Sequence, residues 1–298
     1  DRKYERKYFG GYYNREKLRN SLWEINEHKL FEKIDNCNNG RSSFCGSLWC
    51  ERCRNKISGI LENKVTKHIN RLCLEGDDVR MVTGVIGLSS FSVNDVVRTL
   101  KRDGNRWKKI KRRMDEVGRK GFITVGYEFE LVNGSFMFYG LGDGKYGLGD
   151  KERKKENFYK REMIERISED KKFCDEDVDL RKLFLFNHFH GLSNFNDEEL
   201  KFILGDLYFV NGKKLKRNND CGWYVNRLDK SKEFDVNVKK ICSYGFKSVY
   251  RFKYNFIGSD FNNGEYMNLS ELGNLIKLYD VVSGRGYRRL FRNYDNID

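Results

Sequence analysis

His188 and His190 are half of the four histidines in the chain and stand two positions apart in the run LFLFNHFHGLS, residues 183–193. The run is apolar and aromatic and reads as a β-strand. In a strand, residues i and i+2 project from one face, so the two imidazoles can hold one divalent metal. Packing would account for a single strand histidine more readily than for a pair among so few. A second group lies in KKICSYGFKSVYRFKY, residues 239–254. On a helix, Tyr244 and Lys247 share a face. A phenol is a weak nucleophile at its ordinary pKa of about 10. A metal polarising a phosphate and a nearby ammonium would assist its attack. Tyr250 and Lys253 repeat the spacing, and an amphipathic helix with aromatic core residues would show the same pattern.

Cys37, Cys45, Cys50 and Cys53 are four of eight cysteines. Soft thiolates closing a tetrahedron suit structural zinc, and Cys50-x2-Cys53 is the strongest element of the set. No thioredoxin-like βαβ unit follows, which argues against a redox pair. No export signal opens the chain, so a disulfide framework is not expected and a cytoplasmic location is. Cys73, Cys174, Cys221 and Cys242 are scattered and read as buried or free thiols.

The elements that must carry these groups follow from periodicity. Apolar residues at helical spacing run from Lys56 to Leu74. Residues 79–88, VRMVTGVIGL, form a β-rich run. Ser92 to Val117 reads as a long helix with a stripe of Val93, Val96, Val97, Leu100, Trp107, Ile110 and Met114, weakened at Gly104. Residues 121–132 alternate as a strand, and Asn133-Gly134 signals a hairpin into SFMFYG. Residues 140–182 look like an insertion, helical around Phe158 to Ile167. Glu198 to Phe209 and Leu269 to Val281 read as helices, and Gly222 to Leu228 as a strand. Strands separated by helices indicate an α+β fold with a mainly antiparallel sheet. The expected division is an amino-terminal zinc-binding, helical segment at 1–76, a main domain at 77–257, and a basic tail at 258–298.

Lys and Arg total 58 against 44 acids, a net charge of +14. That surplus favours a polyanionic partner, nucleic acid first. On the long helix, Arg98, Lys101, Arg102, Lys108, Lys109, Arg112 and Arg113 could track phosphates or form a solvated face. No apolar run approaches about 18 residues, so no membrane span is expected. Pro, Ala and Gln are absent, and Thr and His occur four times each. All five types need cytosine at the first or second codon position, which points to a coding strand poor in cytosine.

Together these residues resemble the HUH endonucleases, and within them the rolling-circle plasmid replication initiators. Four segments carry the resemblance in the family's order. They are Cys45-x4-Cys50-x2-Cys53 before a basic helix, the β run around Val82 to Leu88, FNHFHGL, and a later Tyr-x-x-Lys. The family's K-Y-x-x-K form matches CSYGFKS better than the Tyr250 segment. The chain departs from it at Asn187, where the family commonly has Pro. The resemblance implies an HUH-nuclease-like central antiparallel sheet flanked by helices. It also implies an acidic third metal ligand on the strand before the histidines. Glu128 is the closest match, and Glu130 lies on the same strand face. Two imidazoles and a carboxylate suit Mg2+ or Mn2+.

The implied activity is site-specific nicking and joining of single-stranded or hairpin DNA at a replication origin. Metal held by His188, His190 and Glu128 would polarise the scissile phosphate. Tyr244 would attack, leaving a 5′-phosphotyrosine and a free 3′-OH, and Lys247 would steady developing charge. A host helicase and polymerase are the implied partners, and a homodimer is compatible with the family. A transposase or relaxase of the same superfamily shares these motifs. A non-catalytic, zinc-stabilised DNA-binding regulator would share the charge and the cysteines, but gives no reason for His-x-His and Tyr-x-x-Lys together.

Overall fold

The computed structural model describes residues 15–74, 78–134, 161–205, 223–227, 233–238, 267–283 and 291–296. In chain order the elements are α1 (Arg15–Glu24), α2 (His28–Asn38), α3 (Glu51–Arg71), β1 (Arg80–Ser90) and α4 (Val93–Glu116). They continue with β2 (Phe122–Asn133), β3 (Leu183–Ser193), α5 (Asp197–Leu204), β4 (Trp223–Arg227), α6 (Leu269–Ser283) and β5 (Phe291–Asp295). The five strands form one sheet in the order β4-β1-β3-β2-β5. Every neighbouring pair is antiparallel. The α+β class expected from the sequence is the class found.

The strand β3 lies at the centre, between β1 and β2. Burial runs almost unbroken along it and along β2, which requires that both faces of the sheet be covered. Alternation sends Leu185, Phe189, Tyr127 and Phe129 to one face, and His188, His190, Glu128 and Phe122 to the other.

The first face is covered by α4 and α6. Ser92 caps α4, its side chain accepting from Asp95 N at 3.3 Å. The buried stripe of α4 includes Val96, Leu100, Trp107, Ile110 and Met114. Trp107 meets the Phe189 ring at 5.5 Å and stacks on Tyr294 at 5.1 Å. Phe189 presses so closely on β1 that a Cβ at Gly84 would lie 2.4 Å from its ring. From α6, Tyr279 Oη donates to Phe129 O at 3.1 Å and accepts from Phe129 N at 3.2 Å. Tyr127 Oη donates to the buried Asp103 of α4. Burial raises the Asp103 carboxyl above its ordinary range, partly opposed by the Tyr127 hydrogen bond and the Arg106 and Arg292 charges.

On the opposite face, Leu61, Val65 and Ile69 of α3 cluster with Phe122, Leu192, Val79 and Val238. His68 of α3 stacks on Phe122 at 5.2 Å. The helix α3 therefore runs from the cysteine segment to the histidine face of the sheet.

Two expectations about organisation change. First, 161–182 is not peripheral to the core. Residues 161–168 are helical, and Met163, Ile164, Ile167 and Phe173 are buried in the main core. A bulge between Val85 and Gly87 opens β1 to this segment. There Leu88 N donates to Phe173 O at 2.6 Å. Gly87 has φ +145°, and a Cβ on it would meet Phe173 O at 2.1 Å, so only glycine fits. Second, the expected tail supplies α6 to the core and β5 to the sheet edge beside β2. Residues of α1 and α2 join that core too, so the expected boundaries do not divide it. Gly134 N donates to Lys182 O at 2.9 Å, which extends the β2–β3 pairing by one residue. The second strand of the hairpin expected at Asn133-Gly134 falls on the residues that follow. Residues 135–160, with SFMFYG, lie outside the described residues.

Gly104 does not break α4; a Cβ there would have only Arg292 Nη2 nearby, at 3.8 Å. Among the described residues, no helix is long and apolar enough to cross a membrane.

Candidate metal centres

The antiparallel register sets Glu128 of β2 directly across from His188, and Thr83 of β1 directly across from His190. Glu128 Oε2 lies 3.4 Å from His188 Nε2 and 3.6 Å from His190 Nε2. The imidazole rings are 5.0 Å apart and nearly perpendicular. Ligand atoms bound to one metal at about 2.1 Å stand roughly 3.0–3.5 Å from each other. The three side chains can therefore hold one ion with little movement.

The far side of each ring is occupied. His190 Nδ1 hydrogen-bonds Thr83 Oγ1 at 2.8 Å, and His188 Nδ1 meets Phe186 O at 3.4 Å. With Nδ1–H donating outward, each Nε2 can give up its proton and turn a lone pair to the centre when a metal replaces the contact with Glu128. Burial alone would raise the Glu128 carboxyl, but hydrogen bonding and charge from His188 and His190 outweigh it and hold it well below the carboxylate range. Glu128 is thus an anion in a nearly closed site. Glu130 is on the same face but opposite Phe186. It does not join the group.

Thr83 escaped the sequence reading. Its signal was a hydroxyl in the run MVTGVIGL, otherwise apolar, but its partner is 107 positions away.

Cys37, Cys45, Cys50 and Cys53 converge at the other end of α3. Cys53 Sγ is 3.6 Å from both Cys37 Sγ and Cys45 Sγ. A zinc–sulfur bond of about 2.3 Å gives a tetrahedral edge of roughly 3.8 Å, so the spacing suits a four-thiolate site. Cys50 is the N-cap residue of α3 and Cys53 lies in its first turn, where the helix dipole favours negative sulfur. Cys45 N donates to Cys37 Sγ at 3.2 Å, and Gly46 N to Cys53 Sγ at 3.3 Å. Gly46 has φ +84°, a left-handed conformation that glycine adopts freely. Burial pushes the Cys53 thiol up to about 11. A metal that binds Cys53 must displace its proton. Cys174 is buried and Cys73 exposed; Cys221 and Cys242 lie outside the described residues.

The basic helix α4 packs on Phe189 and Tyr127, so the sheet separates it from the Glu128–His188–His190 group. Several of its cations are already paired. Arg98 bridges Asp95 at 2.7 Å and Asp177 at 3.3 Å, and Arg102 bridges Asp175 at 3.0 Å. Arg112 pairs with Glu116 at 3.3 Å, and Arg113 lies 6.0 Å from the Phe202 ring. Lys101, Lys108 and Lys109 are exposed. Tyr244, Lys247, Tyr250 and Lys253 lie outside the described residues.

No family model matches the chain, and comparisons with curated proteins and with solved structures find no match either.

Proposed function

We propose that the chain is a metal-dependent DNA-nicking and joining enzyme of the HUH type that starts rolling-circle replication. The observation that carries this reading is the convergence of Glu128, His188 and His190 on one sheet face, with both imidazoles held from behind by Thr83 and Phe186 O. A buried anion facing two oriented imidazoles can hold one divalent ion, which this reading takes as Mg2+ or Mn2+. Such an ion would supply polarisation of the scissile phosphate.

Tyr244 is the nucleophile. Its oxygen joins the phosphorus as the bond from phosphorus to the 3′ oxygen breaks. The phenolic proton passes to solvent, and the departing 3′ oxygen takes one up. The DNA keeps a free 3′-OH, and its 5′ phosphate remains on the tyrosine. Lys247 balances the negative charge that builds on the phosphate. The covalent link conserves the phosphodiester energy for rejoining.

Tyr244 is taken as nucleophile from the resemblance; Val238, six residues before it, packs with Phe122 and Leu192 on the face that carries the histidines. In the same reading, the four cysteines hold a structural zinc that ties the start of α3 to the α2 end.

The deciding experiment is incubation of the chain with Mn2+ and an end-labelled, hairpin-bearing single strand. A covalent adduct that maps to Tyr244 supports the reading. Specific binding with no tyrosine adduct on any strand tested would leave a zinc-stabilised DNA-binding regulator as the better account.

A further inference from the structure

Phe44 projects from the cysteine element with 43% of its surface exposed. Two cations approach its ring. Lys56 Nζ is 3.7 Å from the centroid and Arg52 Cζ 4.4 Å. They are four residues apart on α3, so both come from one face of the helix. Arg52 is fixed there by donating to Ser42 O at 2.9 Å and Cys37 O at 3.4 Å, which ties it to the cysteine loop. Residues 41–56 hold Arg41, Arg52, Arg54 and Lys56 against the single acid Glu51. Arg41, Arg52 and Lys56 make no ion pair with a carboxylate among the described residues.

An exposed aromatic ring flanked by uncompensated cations has the chemistry of a single-strand binding platform. An unpaired base stacks on the ring as Lys56 swings from it to a neighbouring phosphate, with Arg52 close by for the next. A surface for another protein would pair such cations with acids or bury the ring in an apolar patch, and among the described residues Arg41, Arg52 and Lys56 have no carboxylate partner. We infer that Phe44, Arg41, Arg52 and Lys56 form a docking platform for single-stranded nucleic acid on the cysteine element, remote from the Glu128–His188–His190 group. The inference deepens the nickase reading and rests on it for the identity of the strand. The two sites are joined by α3. Its first turns carry Arg52 and Lys56, and its last turns pack on the histidine face of the sheet. A helix of 21 residues spans about 30 Å, so the platform holds the strand some distance from the cut. A base splayed onto Phe44 cannot also be paired, so the platform favours unpaired flanking sequence.

The test uses the full zinc-loaded chain and a fluorescein-labelled oligothymidylate, with anisotropy read across a salt series. Phe44→Ala should weaken single-strand binding roughly 5- to 100-fold and leave duplex binding nearly unchanged. Phe44→Trp keeps a stacking surface and should bind as the parent does. Lys56→Gln should reduce the salt slope by about 0.7, one phosphate contact on a single strand. Zinc content and far-UV circular dichroism check that each variant is folded, and Lys56→Gln decides the matter should Phe44→Ala lose its zinc. Parent-like affinity and slope in Phe44→Ala and Lys56→Gln would overturn the platform, as would equal losses for single strand and duplex. A chain that forms the tyrosine adduct but binds independently of Phe44 loses only this inference. A chain that binds through Phe44 and forms no adduct loses only the nickase reading.

Discussion

Glu128 stands directly opposite His188 across the β2–β3 ladder, its Oε2 3.4 Å from His188 Nε2. The register, not the proximity of the two residues in sequence, makes them partners. The same register puts His190 across from Gly126. That strand position carries no side chain, and Glu128 Oε2 reaches His190 Nε2 at 3.6 Å.

Replacing the hydroxyl behind His190 tests how far the site depends on its supports. Thr83→Val keeps the β-branched shape but removes the hydrogen bond to Nδ1. Mn2+ affinity, measured by electron paramagnetic resonance titration, should fall roughly 10- to 100-fold. Thr83→Ser should retain most of it. His190→Ala should abolish Mn2+ binding and covalent adduct formation while sparing part of the DNA binding, because Lys and Arg contacts to phosphate persist. Unchanged Mn2+ affinity in Thr83→Val would mean that packing alone sets the ring.

The cysteine cluster should bind about one zinc per chain, and its metal-free and metal-loaded forms should respond oppositely to pH. Burial raises the Cys53 thiol to about 11 in the folded state. An unfolded thiol titrates near 9. Above that value the unfolded chain holds fewer protons than the folded one. Metal-free stability is therefore complete below about pH 9 and declines as pH rises toward 11. Zinc binding expels the same protons, so zinc affinity should strengthen as pH rises through the neutral range. Urea titrations of the apo chain and zinc competition assays at several pH values would read the two slopes. Cys50→Ser should lower zinc content and destabilise the amino-terminal helices.

Tyr244→Phe keeps the ring and removes only the oxygen proposed to attack. Folding should survive, while strand cleavage and the covalent species both disappear. Tyr250→Phe should retain both. Peptide mapping of the adduct distinguishes the two, and an adduct on Tyr250 would move the nucleophile while leaving the reaction class intact.

Gly84→Ala should destabilise the fold by about 1–3 kcal/mol in urea unfolding. The added Cβ would lie 2.4 Å from the Phe189 ring, which is pinned by Trp107. Phe189 sits between the two histidines in sequence, so the strain falls on the strand that carries the site. A weaker Mn2+ titration should accompany the loss of stability.

Much of this molecule can be read locally. His188 and His190 share a face because strand alternation is a property of the backbone. Ser92 and the apolar stripe through Trp107 and Met114 mark α4 because capping and helical periodicity act within a few turns. The Cys50-x2-Cys53 spacing sits where a helix begins, and α3 begins there.

Other features depend on contacts between distant segments. Alternation puts Glu128 and Glu130 on the same face, and only the β2–β3 register brings Glu128 to the histidines. Thr83 becomes a support for His190 through an antiparallel pairing that spans more than a hundred residues. Charge identified α4 as basic, but its apolar stripe could have packed on either face of the sheet. It chose the face of Phe189 and Tyr127, away from the metal-binding group. Residues 161–182 read as part of an insertion and 291–295 as part of a basic tail, yet the first completes the packing at β1 and the second supplies the edge strand beside β2. Local sequence determines which residues can share a face. Which faces meet is decided by burial and hydrogen bonding summed over the whole chain, and those exist only once it has folded.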